Sequence, residues 1–304
     1  MHYSKKNVGH SLRTVSERFE RVQAMKSEHS ISMLCEHFLV STSGFYDWER
    51  RQSAPGLRAL EDRALAVEVE AIHAQSRQTY GGPRIRAVLR ARGRRHGRKR
   101  IARLMTQMGL CGRQRGRYRV HTTDSNHDHP VAPNRLATAP SPTAPNQIWV
   151  ADITYIPTAE GWLYVAGVLD RYSRRVLGLA MAARLDTSLP EAALCQALTR
   201  RGRPRGVIHH SDRGIQYTSA LYRQLLRQHR CTASMSRRAN CYDNAHMESF
   251  WGTLKAELLV GRTFATRQQA RLAIFEYVEV FYNRLRLHSA LGYQSPVDFE
   301  NKLH

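Results

Sequence analysis

Residues 148–156 read Ile-Trp-Val-Ala-Asp-Ile-Thr-Tyr-Ile, a run of β-branched and aromatic side chains with one acid, Asp152, in its middle. Such a composition predicts a β-strand. A lone carboxylate in an apolar strand lowers folding stability, by roughly several kcal/mol, unless it is paired or bound to a metal. Asp152 is therefore the first candidate functional residue.

Two further apolar strands are predicted next, at 162–170 and 176–182, with the turn residues Glu160 and Gly161 before the first of them. Because the connections are short, we expect these three strands to be antiparallel. A helix is predicted from about 187 to 200, a fourth strand follows at 207–210, and helical and strand patterns alternate afterwards. This order predicts a mixed α/β sheet of the ribonuclease-H type.

Two more acids lie at informative places in this region. Asp212 follows the strand at 207–210, at a carboxyl end where α/β sheets place their sites. Glu248 lies on a predicted helix next to Phe250 and Trp251, which indicates that this helix packs on the core. Each acid alone has a structural explanation, as a turn or surface residue. As a set without a His/Cys group, these oxygen ligands favour Mg²⁺ or Mn²⁺ over zinc.

Charge and composition point to the class of partner. Among the 304 residues, 47 Lys and Arg face 25 Asp and Glu, a net charge of +22, which favours a polyanionic partner such as nucleic acid. A hydrophobic fraction of 42% indicates a folded protein, and the length suggests about two domains. The N-terminal sequence predicts neither a secretory signal nor a membrane span. The five scattered cysteines form no CxxC pair, so we expect a cytoplasmic protein without disulfides or zinc.

The positive charge is concentrated between Arg77 and Arg119, where fifteen basic residues occur with no acid. Apolar side chains recur there at helical spacing in two series: Ile85, Val88 and Leu89, then Ile101, Leu104, Met105 and Met108. Glycines at 93 and 97 separate the series, and Gly109 supplies a C-cap. Two short helices around such a turn are typical of a helix-turn-helix, with a plain helical hairpin as the alternative. Arg98, Lys99 and Arg100 crowd the start of the second helix, where a DNA-reading helix presents side chains.

Two further segments complete the predicted organisation. Residues 30–48 indicate a smaller helix-turn-helix-like unit, in which Ser41 or Ser43 caps the second helix. We expect its aromatic residues to form a core rather than a base-stacking surface: Phe45, Tyr46 and Trp48. Residues 121–146 contain five of the eleven prolines, which is typical of a semi-rigid linker.

Five motifs together resemble a known family. They are WVADITY at 149–155, HSDRGIQY at 210–217, DNAHMESFWGTLKAE at 243–257, YGGPRI at 80–85 and YNRLRLHSALGYQSP at 282–296, with 35 residues between Asp212 and Glu248. The three core motifs resemble the catalytic core of DDE transposases and retroviral integrases. The whole set is similar to the second-reading-frame (OrfB) product of insertion-sequence-three transposases, and the likeness extends over nearly the whole chain.

The resemblance implies a metal-dependent DNA strand transferase. Asp152, Asp212 and Glu248 match the family's catalytic acids and would hold two Mg²⁺ ions, or Mn²⁺ in their place, roughly 3.5–4 Å apart. One ion would activate the attacking oxygen, first of water and then of a DNA 3′-OH, and the other would stabilise the leaving oxygen. Lys255, seven residues after Glu248, lies where family members place a Lys or Arg that holds the transposon end.

The resemblance also implies an α/β fold, a ribonuclease-H-like integrase core with a mixed five-stranded sheet, preceded by all-α helix-turn-helix domains. The predicted domains are 1–58, helical; 59–120, basic helix-turn-helix; 121–146, linker; 147–262, catalytic core; and 263–304, C-terminal helical extension. The predicted DNA contacts are Arg84, Arg98, Lys99, Arg100, Arg103 and Lys255. The implied partners are transposon-end and target DNA, further copies of the chain on that DNA, and a first-reading-frame fusion partner, all in the bacterial cytoplasm at the nucleoid.

Two other functions remain open at this stage. One is a ribonuclease-H-like nuclease that only hydrolyses, and the other is a helix-turn-helix DNA-binding regulator. Neighbouring residues also have two interpretations. We expect Asp170 to form a strand-end turn, Asp243 to cap a helix, and His209 and His210 to fix the loop around Asp212. Arg286 and His288 either contact DNA or pack the C-terminal segment onto the core.

Overall fold

The computed structural model describes residues 14–53, 56–113, 130–237 and 244–302. The chain divides after residue 71 into two compact units. Within the described ranges, no helix combines the length and the apolar character that crossing a bilayer requires. The domain boundaries predicted above remain a prediction.

The first unit is a small helical cluster. It contains α1 (Val15–Met25), α2 (Ile31–His37), α3 (Thr42–Ser53) and the first part of α4 (Leu57–Gln75). The Ser41 hydroxyl accepts a hydrogen bond from the Gly44 amide at 3.1 Å, so Ser41 is the predicted cap. Phe45 is fully buried and packs against Phe19 and Trp48. The prediction that Tyr46 joins this core is wrong, because Tyr46 lies on the opposite face of α3 and is 54% exposed.

The predicted helix-turn-helix forms in the second unit. Its helices are α5 (Gly82–Ala91), with Pro83 in its first turn, and α6 (Arg98–Gln107). Their shared interior consists of buried apolar side chains from both helices: Ile85, Leu89, Ile101, Leu104 and Met105. Gly109 follows α6 with a φ of +66°, the left-handed conformation that glycine adopts at a helix end.

A five-stranded sheet lies at the centre of the second unit. Its strands are β1 (Ile148–Thr158), β2 (Gly161–Asp170), β3 (Val176–Ala182), β4 (Ile208–Ser211) and β5 (Thr232–Met235). The order across the sheet is β3-β2-β1-β4-β5. The first three strands are antiparallel, whereas β4 and β5 run parallel to β1. The mixed sheet predicted from the sequence is confirmed.

Helices cover this sheet and extend to the C-terminus. They are α7 (Ser188–Arg200), α8 (Ile215–Thr218), α9 (Ala220–Gln228), α10 (Ala245–Leu254), α11 (Arg267–Glu276) and α12 (Pro296–Asn301). Two of them continue as π-helical turns, α10 through 255–259 and α11 through 277–282. A 3₁₀ turn covers 289–291.

The described part of the Pro-rich segment lies against the core of the sheet domain. The Arg135 amide donates to the Ser234 hydroxyl at 3.0 Å, and Ala132 packs on the core. At its end, the Asn146 amide donates to the Asp170 carboxylate at 2.7 Å. From residue 130 onward the segment is therefore held by contacts with β5 and with the end of β2.

The contact between α7 and the sheet depends on one glycine. Gly178 lies in the middle of β3, where a Cβ atom would come within 1.9 Å of the Ala193 carbonyl oxygen. The side chains around this contact are small or fully buried, among them Leu177, Leu194 and Ala197. The backbone of α7 approaches the sheet this closely because position 178 has no side chain.

We expect Gly178→Ala to destabilise the protein by about 3 kcal/mol, at the upper end of overpacking costs, since the added methyl meets backbone rather than a flexible side chain. Urea unfolding measures the change. Gly97→Ala is the matched control, because a Cβ there has nothing within 4 Å, and its effect should stay below about 1 kcal/mol. Equal unfolding midpoints for wild type and Gly178→Ala would contradict this account of the packing.

Candidate active site

The pairing of two central strands brings the first two acids together. Strands β1 and β4 are parallel neighbours, and their last paired residues are Val150 and His210. Two residues further along each chain lie Asp152, still within β1, and Asp212, just beyond β4. Because the register is kept, these two carboxylates come from neighbouring positions at one end of the paired strands.

The third acid reaches this position on α10, and a glycine allows the approach. Gly167 of β2 pairs directly with Asp152, and a Cβ at Gly167 would lie 3.0 Å from the Trp251 ring and 3.1 Å from the Met247 methyl. Trp251 and Met247 flank Glu248 on the inner face of α10 and are buried. The bare backbone at position 167 therefore lets the helix lie close to the strand that carries Asp152.

A second contact fixes the start of the same helix. The buried Asn244 side chain donates a hydrogen bond to the Ala151 carbonyl at 3.1 Å, one residue before Asp152. Sequence reasoning missed both Gly167 and Asn244. A glycine inside an apolar strand is a recognised signal of close approach, and it was available for Gly167. Asn244 carried no comparable signal, because its partner is a backbone atom 93 residues away.

The three acids interact electrostatically. Burial raises the pKa of Asp152 well above its ordinary value, and the nearby Asp212 and Glu248 carboxylates raise it further. The Ile153 amide and the Trp251 indole oppose part of this rise in the pKa. Burial also raises the pKa of Glu248. The site therefore concentrates negative charge where each carboxylate makes ionisation of Asp152 harder.

The loop that carries Asp212 is fixed from inside the protein. The Gly214 amide donates to the Asp212 carboxylate at 2.9 Å. His210 is buried and bonds the Ser234 and Ser236 hydroxyls, while His209 bonds the Tyr222 hydroxyl at 3.1 Å. Burial lowers the pKa of His209 to about 3, so this ring is neutral. Both histidines thus brace the loop, as expected from the sequence, rather than face a substrate.

The donor set fits a hard divalent cation, although the three carboxylates do not form a closed cluster. Among the described residues, no three His, Cys, Asp or Glu side chains are gathered tightly enough to hold a metal ion as they stand. The acids at 152, 212 and 248 offer only carboxylate oxygens, the ligands that Mg²⁺ and Mn²⁺ prefer. A cation between them would relieve the repulsion that raises the pKa of Asp152.

Lys255 lies close enough to this cluster for Asp152 to affect its pKa. Its ammonium group is 5.1 Å from the centre of the Tyr155 ring, which belongs to the same strand as Asp152. Burial lowers the pKa of Lys255, and the neighbouring Tyr155 and Asp152 partly restore it. Phe250 and Leu254 occupy the core face of the helix, as predicted.

The other predicted DNA contacts have two kinds of surroundings. Arg98, Lys99 and Arg103 are exposed at the start and on the outer face of α6, and Arg100 is half-buried beside them. Arg84 is different, because its Nε donates to the Leu287 carbonyl at 2.9 Å and its guanidinium lies over the Tyr80 ring. Arg84 therefore also joins α5 to the C-terminal segment.

The residues with two interpretations are mostly structural. Asp170 is buried and accepts hydrogen bonds from three backbone amides, as a strand-end turn requires. Asp243 lies outside the described residues. Arg286 forms a buried ion pair with Glu257 through three hydrogen bonds, with an Nη2–Oε1 distance of 2.7 Å. This pair packs the C-terminal segment onto the core. His288 packs edge-on against Tyr282.

Comparison with known proteins agrees with this architecture. Two family models described as "Integrase core domain" match residues 142–241 and 248–303, and a model described as "HTH-like domain" matches residues 59–118. The fold and these matches define a protein with an integrase catalytic core behind a helix-turn-helix-like domain.

Curated relatives narrow the class to one family. The chain is 47% identical over 271 residues to the "Insertion element IS600 uncharacterized 31 kDa protein" of Shigella sonnei, covering 89% of this chain and 98% of that protein. It is 40% identical over 281 residues to "Transposase InsF for insertion sequence IS3A" of Escherichia coli K12, covering 92% and 97%. The chain belongs to the insertion-sequence-three (IS3) family of transposases, enzymes of the polynucleotidyl transferase class.

Solved structures show more distant likenesses. The simian T-cell lymphotropic virus intasome in complex with the PP2A regulatory subunit B56 gamma matches with a TM-score of 0.45 at 16% identity, over 76% of this chain and 74% of that chain. The HTLV-2 integrase catalytic core domain in complex with magnesium matches with a TM-score of 0.39 at 16% identity, over 52% and 98%.

The raised pKa of Asp152 has a consequence for stability. A carboxyl that holds its proton more tightly in the folded state loses folding free energy as pH rises from its unfolded pKa through its folded pKa. Without divalent cations, Asp152→Asn should therefore be more stable than wild type at neutral pH, with a Tm roughly 2–4 °C higher. The difference should shrink toward pH 4. Thermal unfolding in EDTA across pH 4–8 measures it.

Asp186→Asn is the control, because that carboxylate is exposed, and its stability should follow the wild-type pH dependence. A wild-type protein that matches Asp152→Asn in Tm at every pH would contradict the proposed repulsion.

Proposed function

We propose that the chain catalyses Mg²⁺-dependent cleavage of DNA strands at the ends of an insertion sequence and transfer of those ends to a target duplex. Asp152, Asp212 and Glu248 are the catalytic acids in this proposal. The observation that carries it is the convergence of three carboxylates from two adjacent strands and one helix, close enough for two of them to raise the pKa of the third.

The chain's own residues supply position and charge. Bound at the three carboxylates, two Mg²⁺ ions, or Mn²⁺, would supply the positive charge that favours in-line displacement at phosphorus. Asp152 is held by the β1 ladder, Asp212 by the Gly214 amide, and Glu248 by a helix packed over Gly167. Because water and then a DNA 3′-OH is the nucleophile, the chain needs no nucleophilic Ser, Cys or Tyr.

DNA contacts extend from this centre in both directions. We propose that Lys255 holds the transposon end beside the acids, since its ammonium lies over the Tyr155 ring and interacts electrostatically with Asp152. The exposed cations of α6 neutralise phosphates further away. The partners in this proposal are transposon-end and target duplexes, further copies of the chain on that DNA, and a first-frame fusion product. The proposed location is the bacterial cytoplasm, at the nucleoid.

Each acid should be essential for joining. Asp152→Asn, Asp212→Asn and Glu248→Gln each keep the volume but remove a charged ligand, so we expect cleavage and joining to fall roughly 1,000-fold or more with DNA affinity largely kept. The assay joins a labelled 3′-OH end to a target duplex with Mg²⁺, and Asp186→Asn is the control. Appreciable joining by a purified triad variant would remove that residue from the proposal. Cleavage without joining by wild type would favour the purely hydrolytic nuclease.

The basic helix should account for part of the salt dependence of binding. Replacing Arg98, Lys99, Arg100 and Arg103 together by Ala should reduce the slope of log affinity against log salt by about 0.9 for each phosphate that the variant no longer neutralises. The control variant lacks two exposed arginines of the integrase core domain that lie between α7 and β4, Arg203 and Arg205. An unchanged slope in the α6 variant would limit these cations to a role in solubility.

Lys255 should contribute to recognition of the transposon end. We expect Lys255→Ala to weaken end-specific binding and joining about tenfold, since it removes a cation beside the acids, while stability changes by roughly 0.5 kcal/mol or less. Affinity for end-containing and random duplexes, joining rate and Tm are compared. Arg262→Ala, which removes an exposed cation stacked on Phe264, is the control. Equal losses on both duplexes would make Lys255 a general phosphate contact.

A further inference from the structure

A positively charged cavity of about 290 Å³ lies beside α10. Its charged lining comes from separate parts of the second unit: Arg84 of α5, Arg174 of the turn between β2 and β3, and Arg286 of the C-terminal segment, with the His288 ring beside it. Ser249 and Tyr282 add hydroxyl groups. Among the described residues that line it, none is acidic. The cavity is therefore built to favour an anion.

The cations of this cavity repel one another. Burial lowers the pKa of Arg84, and the neighbouring Arg286 lowers it further. Burial also lowers the pKa of His288 well below its ordinary value, with Arg286, Arg84 and Arg174 adding to the effect. The Glu257 carboxylate offsets one of these charges through its ion pair with Arg286. Glu257 also raises the pKa of Arg84, and Asp170 raises that of Arg174, so the positive charge of this half-buried space is only partly compensated.

Arg174 lines the cavity and, like the neighbouring Arg171, has a side-chain donor without a hydrogen-bond partner among the described residues. Its Nη1 atom is buried and, within the residues that the structure describes, makes no hydrogen bond. Its backbone φ is +64°, the left-handed region that a non-glycine residue seldom adopts. The turn is nevertheless fixed, because Asp170 accepts hydrogen bonds from the amides around it. A strained residue thus presents an unsatisfied buried donor at a cationic cavity.

The cavity adjoins the helix that carries Glu248. Ala245, Ser249 and Thr253 line it from successive turns of α10, next to the face that bears Glu248. Arg84 reaches it from the helix-turn-helix, so side chains of that domain and of the integrase core line the same cavity. A group bound there would be held by both.

We propose that this cavity is a phosphate-binding pocket that holds one phosphodiester of the DNA strand whose neighbouring nucleotides occupy the active site. The inference rests on the proposed function, since it takes DNA as the substrate. A planar guanidinium group can bind two phosphate oxygens at once. Arg174 supplies a buried donor for such a contact. The helix-turn-helix and the catalytic core thereby grip the same strand, which sets the register between the bound end and the reacting phosphate.

A methylphosphonate scan tests the pocket directly. Duplexes with a transposon end carry one uncharged methylphosphonate at each successive phosphate, and affinity is measured in EDTA so that no reaction occurs. In wild type, one position near the cleavage site should weaken binding roughly tenfold or more. In Arg174→Gln, the same substitution should cause almost no further loss. Arg171→Gln removes an arginine of the same turn whose Nη1 is also buried without a hydrogen bond but which does not line the cavity. This control should keep the wild-type profile.

The outcomes separate the pocket from the proposed function. If the fold losses in DNA affinity caused by Arg174→Gln and by each methylphosphonate simply multiply, the two are not coupled. The pocket proposal is then wrong, even where the triad variants are inactive. If a triad variant still joins DNA while the scan shows the coupling, the catalytic assignment fails and the pocket stands. A loss of coupling in Arg171→Gln as well would reduce the effect to general charge and overturn the pocket.

A second measurement does not depend on the folding of any variant. The ring resonances of His288 in wild type, followed by NMR at constant ionic strength, should shift as inorganic phosphate is added in place of chloride. Saturation by phosphate and displacement by the end duplex support the DNA phosphodiester as occupant. Saturation without displacement would make the pocket a site for free phosphate and overturn the DNA assignment. Unchanged resonances would overturn the pocket.

Discussion

The burial of Asp152 beside two other carboxylates is the constraint on which the surrounding integrase core depends. Asp152 lies within an apolar strand, and Asp212 and Glu248 raise its pKa further. Such a site persists only when surrounding contacts fix each acid more firmly than repulsion separates them. The contacts do so from three directions: strand register between β1 and β4, the buried histidines behind Asp212, and α10 held over Gly167.

The C-terminal segment extends this support to the helix-turn-helix. Glu257, one turn beyond α10, receives hydrogen bonds from Tyr277 and Arg286. The neighbours of Arg286 contact the turn before α5. The Leu287 amide donates a hydrogen bond to the Tyr80 hydroxyl, which in turn donates to the Leu285 carbonyl. The helix that carries Glu248 and the helix-turn-helix are therefore linked by a short chain of partly buried polar contacts. Movement of either would disturb the other.

The sequence was sufficient for features set by local pattern. Side-chain composition alone predicted β1, and periodicity predicted α5 and α6, because each depends on neighbours a few residues apart. Local context singled out the three acids as candidates, and the family resemblance implied their joint catalytic role. The rest required contacts over long separations. The Asn244 bond to Ala151, the Gly178 contact with α7 and the pairing of Arg286 with Glu257 join residues that no local pattern relates. The prediction for Tyr46 failed because an aromatic residue in a short helix can face either side.

The protein has two charge clusters of opposite sign, one at the three acids and one at the start of α6. The acids at β1, β4 and α10 gather negative charge, while the start of α6 combines exposed cations with a Gly97 cap that offers no side-chain acceptor. Positive charge at a helix N-terminus opposes the helix dipole. An anion bound there would offset this cost and would also accept hydrogen bonds from the uncapped backbone amides. A cation at the acids likewise removes the repulsion at Asp152. Under the proposed function, metal bound at the acids and DNA bound at α6 would each stabilise the folded state relative to the ligand-free protein.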